Sequence, residues 1–310
     1  MRHIFIVNPK SGKGNVHNKF MQELREREAE VYLTKSADDA ERYIRNMCES
    51  NSKEYFRFYS CGGDGTLNNV LNGIVGFDNA EAAAIPLGSG NDFIRSFGLP
   101  AERFSNIDAQ LSGSAVTVDV IKYQDVTGNA ELRYAFNMFN IGFDCDVVVN
   151  MTAVKKIPFV RGAFAYLLSI LLTLIKKEGA ELDIDFDDGT NYNGRVLFTT
   201  IGNGAYCGGG IKGLPNAELD DGLMDVCVVK DVSRRVIFSL LPKYAKGTHL
   251  ETEIAKEIID YKKCKSLTVK NCKDKWFISV DGEINTVGKV HFEIVPNAVR
   301  FSLPSTEARD

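Results

Sequence analysis

Over its first hundred residues the chain alternates short apolar runs with stretches of helical periodicity, and this alternation restricts the fold more than any other feature. His3–Val7, Val31–Thr34, Tyr55–Ser60 and Ala82–Pro86 read as four strands. Between them Val16–Glu30, Ala37 to about Glu49 and Thr66–Gly73 read as helices, with Ser36 as the expected N-cap of the second and Asp38 and Asp39 in its first turn. Strands interleaved with helices build βαβ units around a parallel sheet, so the first domain is expected to be α/β.

The pattern changes near residue 115. Val116–Tyr123, Arg133–Phe143, Glu181–Phe186, Arg195–Ile201, Met224–Val229, Ser266–Lys270, Trp276–Asp281 and His291–Val295 are β-rich runs, punctuated by turn signals such as Asp188-Gly189 and Asp281-Gly282. Helical stretches interrupt them at about Phe164–Lys177 and Arg234–Lys246. The expected arrangement is an α/β domain over 1–115 and an antiparallel sandwich or barrel over 116–296. The last strand, Arg300–Leu303, and its flanks (297–310) would return to the first domain.

Composition narrows the function. The net charge of −4 gives no global basic field for nucleic acid, so none is expected as a partner. Seven cysteines, with no C-x-x-C pair, fit neither a zinc site nor a disulfide framework and suit a reducing compartment. The N-terminal apolar run is too short for a secretory signal, and no segment reaches the ~18 apolar residues of a spanning helix, so a cytoplasmic chain is expected.

Three glycine-bearing loops follow three of the strands. Cys61–Gly73 (CGGDGTLNNVLNG) runs from a strand through glycines and Asp64 into a helix. Glycines admit close backbone approach, and a helix N-terminus favours phosphate; the carboxylate of Asp64 suits an intervening Mg2+. A tight strand-to-helix turn capped by Asp64 is the plainer alternative. Asn8–Gly14 (NPKSGKG) offers glycines, a serine and two lysines, Lys13 among them as a phosphate contact; Pro86–Asp92 (PLGSGND) adds Asn91 and Asp92. Each alone is an ordinary loop. Together, after strands of one parallel sheet, they would share the rim where open α/β sheets bind ligands.

The set NPKSGKG, GGDGTLNNVLNG and PLGSGNDF resembles the catalytic domain of the diacylglycerol kinase and sphingosine kinase superfamily, with soluble bacterial lipid kinases as the nearest type. The resemblance continues through IGNGAYCGGG (Ile201–Gly210), PNAELDDGLMD (Pro215–Asp225) and DGE (Asp281–Glu283), and so covers nearly the whole chain. It implies a three-layer α/β nucleotide domain, a β-sandwich lipid domain and an active site in the cleft between them. It also implies an ATP site lined by Asn8, Pro9, Lys10, Ser11, Gly12, Thr34, Gly62, Gly63, Asp64, Gly65, Thr66, Leu67, Asn68, Asn69 and Ser89. Asp64 and Asp92 would belong to an aspartate, water and Mg2+ network near Lys13. Glu283 would accept the proton of the substrate hydroxyl, with Asp281 as its close partner. A structural Mg2+ would be held by the Asp221 carboxylate and backbone oxygens of Glu218 and Leu223. Homodimerisation through the second domain is an inherited expectation.

Chemistry supports these roles independently. A lipid hydroxyl is a weak nucleophile that a carboxylate can relieve of its proton, and phosphoryl transfer otherwise needs positioning and charge neutralisation. A hairpin with exposed acids is the alternative for Asp281–Glu283, and a surface turn for Leu219–Leu223. Thr34 and Ser89 are otherwise unremarkable polar residues. Ala163–Ile175 (AFAYLLSILLTLI), followed by Lys176 and Lys177, reads as a buried helix or as one beside an acyl-chain cleft. The expected activity is therefore ATP-dependent phosphorylation of a membrane lipid by an enzyme that touches the membrane transiently. An NAD-kinase-like enzyme shares GGDGT, but the Asn-Glu pair that NAD kinases use for a ribose is not evident after its helix. A silent nucleotide or lipid sensor is disfavoured by Asp64, Asp92, Asp281 and Glu283.

Overall fold

The computed structural model describes residues 1–11, 15–36, 38–128, 130–143, 147, 169, 172–173 and 179–306. Gly12 and Lys13 lie outside these residues, as does the Ala163–Ile175 stretch apart from Ser169, Leu172 and Thr173. The chain forms two compact units, residues 1–119 with 297–310 and residues 120–296.

In the first unit, β1 (Arg2–Val7), β2 (Glu30–Leu33), β3 (Phe56–Gly62) and β4 (Ala80–Pro86) form a parallel sheet in the order β4-β3-β1-β2. Helices α1 (Asn15–Glu26), α2 (Asp39–Ser50) and α3 (Asp64–Ile74) connect them. All seven residues of β3 are buried, as befits a central strand of a parallel sheet covered on both faces. Strand periodicity sends Phe5, Val7, Tyr59, Cys61 and Ile85 to one face, where they pack with Phe20 and Leu24 of α1. Gly73 lets α3 approach α2: a Cβ there would lie 2.9 Å from the Ile44 side chain.

Ser36 does not cap α2. The helix starts later, after Asp38, because the Asp39 carboxylate turns back to accept from the Lys35 backbone N–H (2.8 Å) and the Tyr32 hydroxyl (3.0 Å). Three short helices follow β4: α4 (Asp92–Arg95), α5 (Ala101–Phe104) and α6 (Ile107–Leu111), the last capped by Asn106.

β5 (Ser114–Asp125) leaves the first unit, and β15 (Lys289–Leu303) returns to it. At its far end β15 pairs in parallel with β4, Phe301 opposite Ala82.

The second unit is an antiparallel β-sandwich: β6 (Arg133–Ala135), β7 (Met138–Gly142), β8 (Ala180–Phe186), β9 (Asn191–Gly202), β10 (Met224–Lys230), β11 (Ile259–Cys264), β12 (Ser266–Asn271), β13 (Trp276–Val280) and β14 (Glu283–Val287). Helices α7 (Arg234–Lys246) and α8 (Glu253–Ile258) stand between β10 and β11. Phe139, Ile201, Val226, Trp276 and Phe292 share its main core. Burying each large side chain contributes about 1.5–3 kcal/mol. The run Arg133–Phe143 is two strands, not one: it breaks at Phe136-Asn137, whose N–H groups turn to Asp281.

Candidate functional site

In the first unit the loops after β1, β3 and β4 converge. The Asn8 backbone N–H donates to the Cys61 carbonyl (3.2 Å), and its side-chain amide donates to Thr66 Oγ1 (3.2 Å), tying the first loop to the second. Leu87 and Gly88 both donate to the Gly62 carbonyl, at 2.9 and 3.1 Å, tying the third loop to the second. Asp64 closes the arrangement: Oδ2 accepts from the Asn91 N–H (2.8 Å) and Oδ1 from the Asp92 N–H (2.7 Å). Asn91 takes the left-handed conformation (φ 52°) that aims these donors. Thr34, just past β2, donates its N–H to the Val7 carbonyl at the same strand end.

The approach is close enough to demand glycine. A Cβ on Gly88 would lie 2.5 Å from the Gly63 Cα, and one on Gly90 would lie 2.5 Å from Asp64 Oδ2. Helix α3 starts at Asp64, so its first N–H groups, which have no intrahelical acceptor, face this junction with the positive end of the dipole. Pro9, Lys10 and Ser89 are exposed around it, whereas Thr66 and Leu67 point inward. The Asn69 side chain donates to the Gly65 carbonyl (2.9 Å), and Asn68 Oδ1 accepts from Asn72 (3.0 Å). The Asp92 carboxylate is buried, 3.6 Å from Arg95 Nε. A cleft of about 500 Å3, lined by Pro9, His17, Met21, Arg25 and Leu33, opens beside the first loop. The motifs did not indicate His17 or Arg25, which stand on α1 with no glycine signature near them.

The glycine cradle and the helix N-terminus fit a polyphosphate, and Asp64 with Asp92 supplies carboxylates for an associated cation. Among the described residues no group of three or more His, Cys, Asp or Glu side chains is placed to hold a metal ion.

In the second unit Asp281 and Gly282 make the turn of the β13–β14 hairpin, both with positive φ (47° and 90°), as a two-residue Asp-Gly turn requires. The Asp281 carboxylate accepts from the backbone N–H groups of Phe136 (3.2 Å), Asn137 (3.2 Å) and Met138 (2.8 Å). It anchors the hairpin to the start of β7. Glu283, the first residue of β14, is exposed. Burial, with the nearby carboxylates of Asp281 and Glu283, pushes the Tyr123 phenol up to about 12, so Tyr123 stays protonated at neutral pH. Asn137 links the hairpin to the IGNGAYCGGG segment: its carbonyl accepts from Asn203 and Gly204 (2.9 and 3.0 Å), and its amide donates to the Tyr206 carbonyl (2.8 Å). Residue type alone gave no sign of this role.

The Leu219–Leu223 loop does not fit the expected metal. Asp221 Oδ1 accepts from the Leu223 N–H (3.0 Å), and Oδ2 accepts from the Lys263 ammonium (2.5 Å).

The second unit also holds a small apolar cavity of about 60 Å3, lined by Phe143, Leu197, Val229, Ile237, Tyr244 and His249 among others. His249 is 1% exposed, and neither ring nitrogen has a hydrogen-bond partner. Burial lowers its pKa to about 4.

The comparisons agree with this fold. The diacylglycerol kinase catalytic domain family matches residues 2–123, and the YegS C-terminal NAD kinase beta sandwich-like domain matches residues 139–303. A diacylglycerol kinase of Staphylococcus saprophyticus is 30% identical over 257 residues, covering 83% of this chain and 78% of its own. One from Bacillus subtilis is 26% identical, covering 98% and 96%. A solved structure of a candidate diacylglycerol kinase from Bacillus anthracis superposes with a TM-score of 0.73 at 26% identity, covering 97% of this chain and 96% of that one. The chain therefore belongs to the family of bacterial diacylglycerol kinases and YegS-like lipid kinases.

Proposed function

We propose that this chain transfers the γ-phosphoryl group of ATP to the hydroxyl of a membrane lipid, diacylglycerol or one of similar build. The observation that carries the reading is the junction of three glycine loops on the Asp64 carboxylate, a cradle suited to phosphates. Backbone N–H groups at the start of α3 donate to phosphate oxygens, beside the exposed Lys10 of the first loop. Exposed Leu33 and the Met21 side chain give the adjoining cleft an apolar wall for the nucleoside. Mg2+, when bound, neutralises phosphate charge, and Asp64 and Asp92 are the carboxylates suited to hold it or its water shell.

Glu283 takes the proton of the attacking hydroxyl. Asp281 acts on it indirectly, by fixing the hairpin. Relatives named diacylglycerol kinase and lipid kinase support a substrate with hydrocarbon chains rather than a wholly polar one. No helix among the described residues is long and apolar enough to cross a membrane.

The test is phosphoryl transfer from labelled ATP with Mg2+ to a panel in mixed micelles: diacylglycerol, a sphingoid base, phosphatidylglycerol and a polyprenol, with NAD as the soluble rival. Label in a lipid is the expected result. Label in NAD, or in no acceptor, would refute the reading.

A further inference from the structure

The charged loop of the second unit points to an internal cation. Leu219–Leu223 leads directly into β10, and β10 pairs antiparallel with β11 so that Asp225 stands opposite Lys263 and Cys227 opposite Tyr261. Alternate residues of a strand share a face, so Tyr261 and Lys263 point the same way. From that face the Tyr261 hydroxyl donates to Asp225 Oδ1 (2.6 Å), while the Lys263 ammonium lies 2.5 Å from Asp221 Oδ2 and 3.5 Å from Asp225 Oδ2. Asp225 is wholly buried (0% exposed). A buried carboxylate needs a positive or hydrogen-bonding partner, and removing that partner is costly.

We propose that Lys263 is the resident cation of the Leu219–Leu223 loop, its ammonium bridging Asp221 and Asp225 in place of a divalent metal. The two cations exclude each other. A metal on Asp221 would sit about 2–2.6 Å from its oxygens, inside the volume the ammonium already fills, and like charges at that range repel strongly. Within the loop the other oxygen of Asp221 is also engaged, accepting from the Leu223 N–H (3.0 Å). The second unit therefore folds without a divalent ion, and the magnesium demand of turnover belongs to the nucleotide alone.

The test needs no turnover. Thermal melting of the nucleotide-free full chain is followed in EDTA and in millimolar MgCl2 or CaCl2. The wild-type midpoint is expected to be the same in all three. Lys263→Ala is expected to melt roughly 5 °C lower in EDTA and to recover part of that shift with Ca2+ or Mg2+, a recovery that Asp221→Asn added to it abolishes. A saturable rise of the wild-type midpoint with either ion, lost in Asp221→Asn, overturns the proposal. So does a Lys263→Ala protein that melts like the wild type, or one that metal does not rescue. If Lys263→Ala does not fold, Mn2+ titration of wild type and Asp221→Asn by electron paramagnetic resonance decides. Equal binding supports the proposal, and a site present only in the wild type refutes it.

Discussion

Three acids with one side-chain chemistry divide by environment. Asp64 and Asp281 each receive backbone N–H groups on both carboxylate oxygens and so hold loops in place. Glu283 stands exposed at the head of β14, two residues beyond Asp281. Glu283→Gln keeps the shape of the side chain but removes its basicity, so phosphoryl transfer is expected to fall about 10²–10⁴-fold. ATP affinity should stay near wild type, as checked by equilibrium dialysis beside the transfer assay. His249 makes a different residue-scale statement. Its folded pKa of about 4 lies below the ordinary 6.5, so between these values the unfolded chain takes up a proton that the folded chain refuses. Its contribution is full above pH 6.5 and declines as pH falls towards 4, by about 3 kcal/mol at most. Urea unfolding at pH 7 and pH 4.5 should show a larger acid loss for wild type than for His249→Leu.

At the scale of elements, the loops are set by what approaches them. Gly88→Ala would drive a methyl group into the Gly63 backbone, so the third loop must move off the second. The expected outcome is a stability loss of about 1–3 kcal/mol and a KM for ATP raised several-fold, with KM for lipid nearly unchanged. Steady-state kinetics with each substrate varied in turn would check the split.

The elements also mark how far local pattern reaches. β1, β3 and β4 were legible because strands buried on both faces are apolar at most of their positions. The break between β6 and β7 was not, because the partner of its N–H groups, Asp281, lies more than 140 residues away. β11 (IDYKKC) escaped notice for a similar reason. Its lysines break the apolar alternation, and only its partners give them a purpose: Lys262 lies against Asp188 and Lys263 against Asp221.

For the whole molecule, the chain enters the second unit along β5 and comes back along β15, so the first unit is not one continuous stretch of sequence. Phe301 stacks on Phe97 (5.1 Å between centroids) and meets Phe93 edge-on, and the Asn297 N–H donates to buried Asp119 (2.7 Å). Beneath them the buried Arg57–Glu81 pair joins β3 to β4; Arg57 also donates to the carbonyls of Gln110 and Gly113, and Arg300 of β15 stands 3.7 Å from Glu81. A fragment of residues 1–119 lacks the returning strand and is expected to show no cooperative melt. The same fragment joined by a flexible linker to residues 297–310 should melt cooperatively, with circular dichroism as the readout.

The sequence by itself determined the fold class and the positions of the three glycine-bearing loops, because strand and helix periodicity and glycine-rich turns are local properties of a few neighbouring residues. Only the tertiary structure decided which carboxylates are occupied by the protein's own donors: Asp64 by the third loop, Asp281 by the start of β7, Asp221 by Lys263. Those partners lie far apart along the chain, and a carboxylate's role follows from the charge and hydrogen-bond donors that folding brings to it.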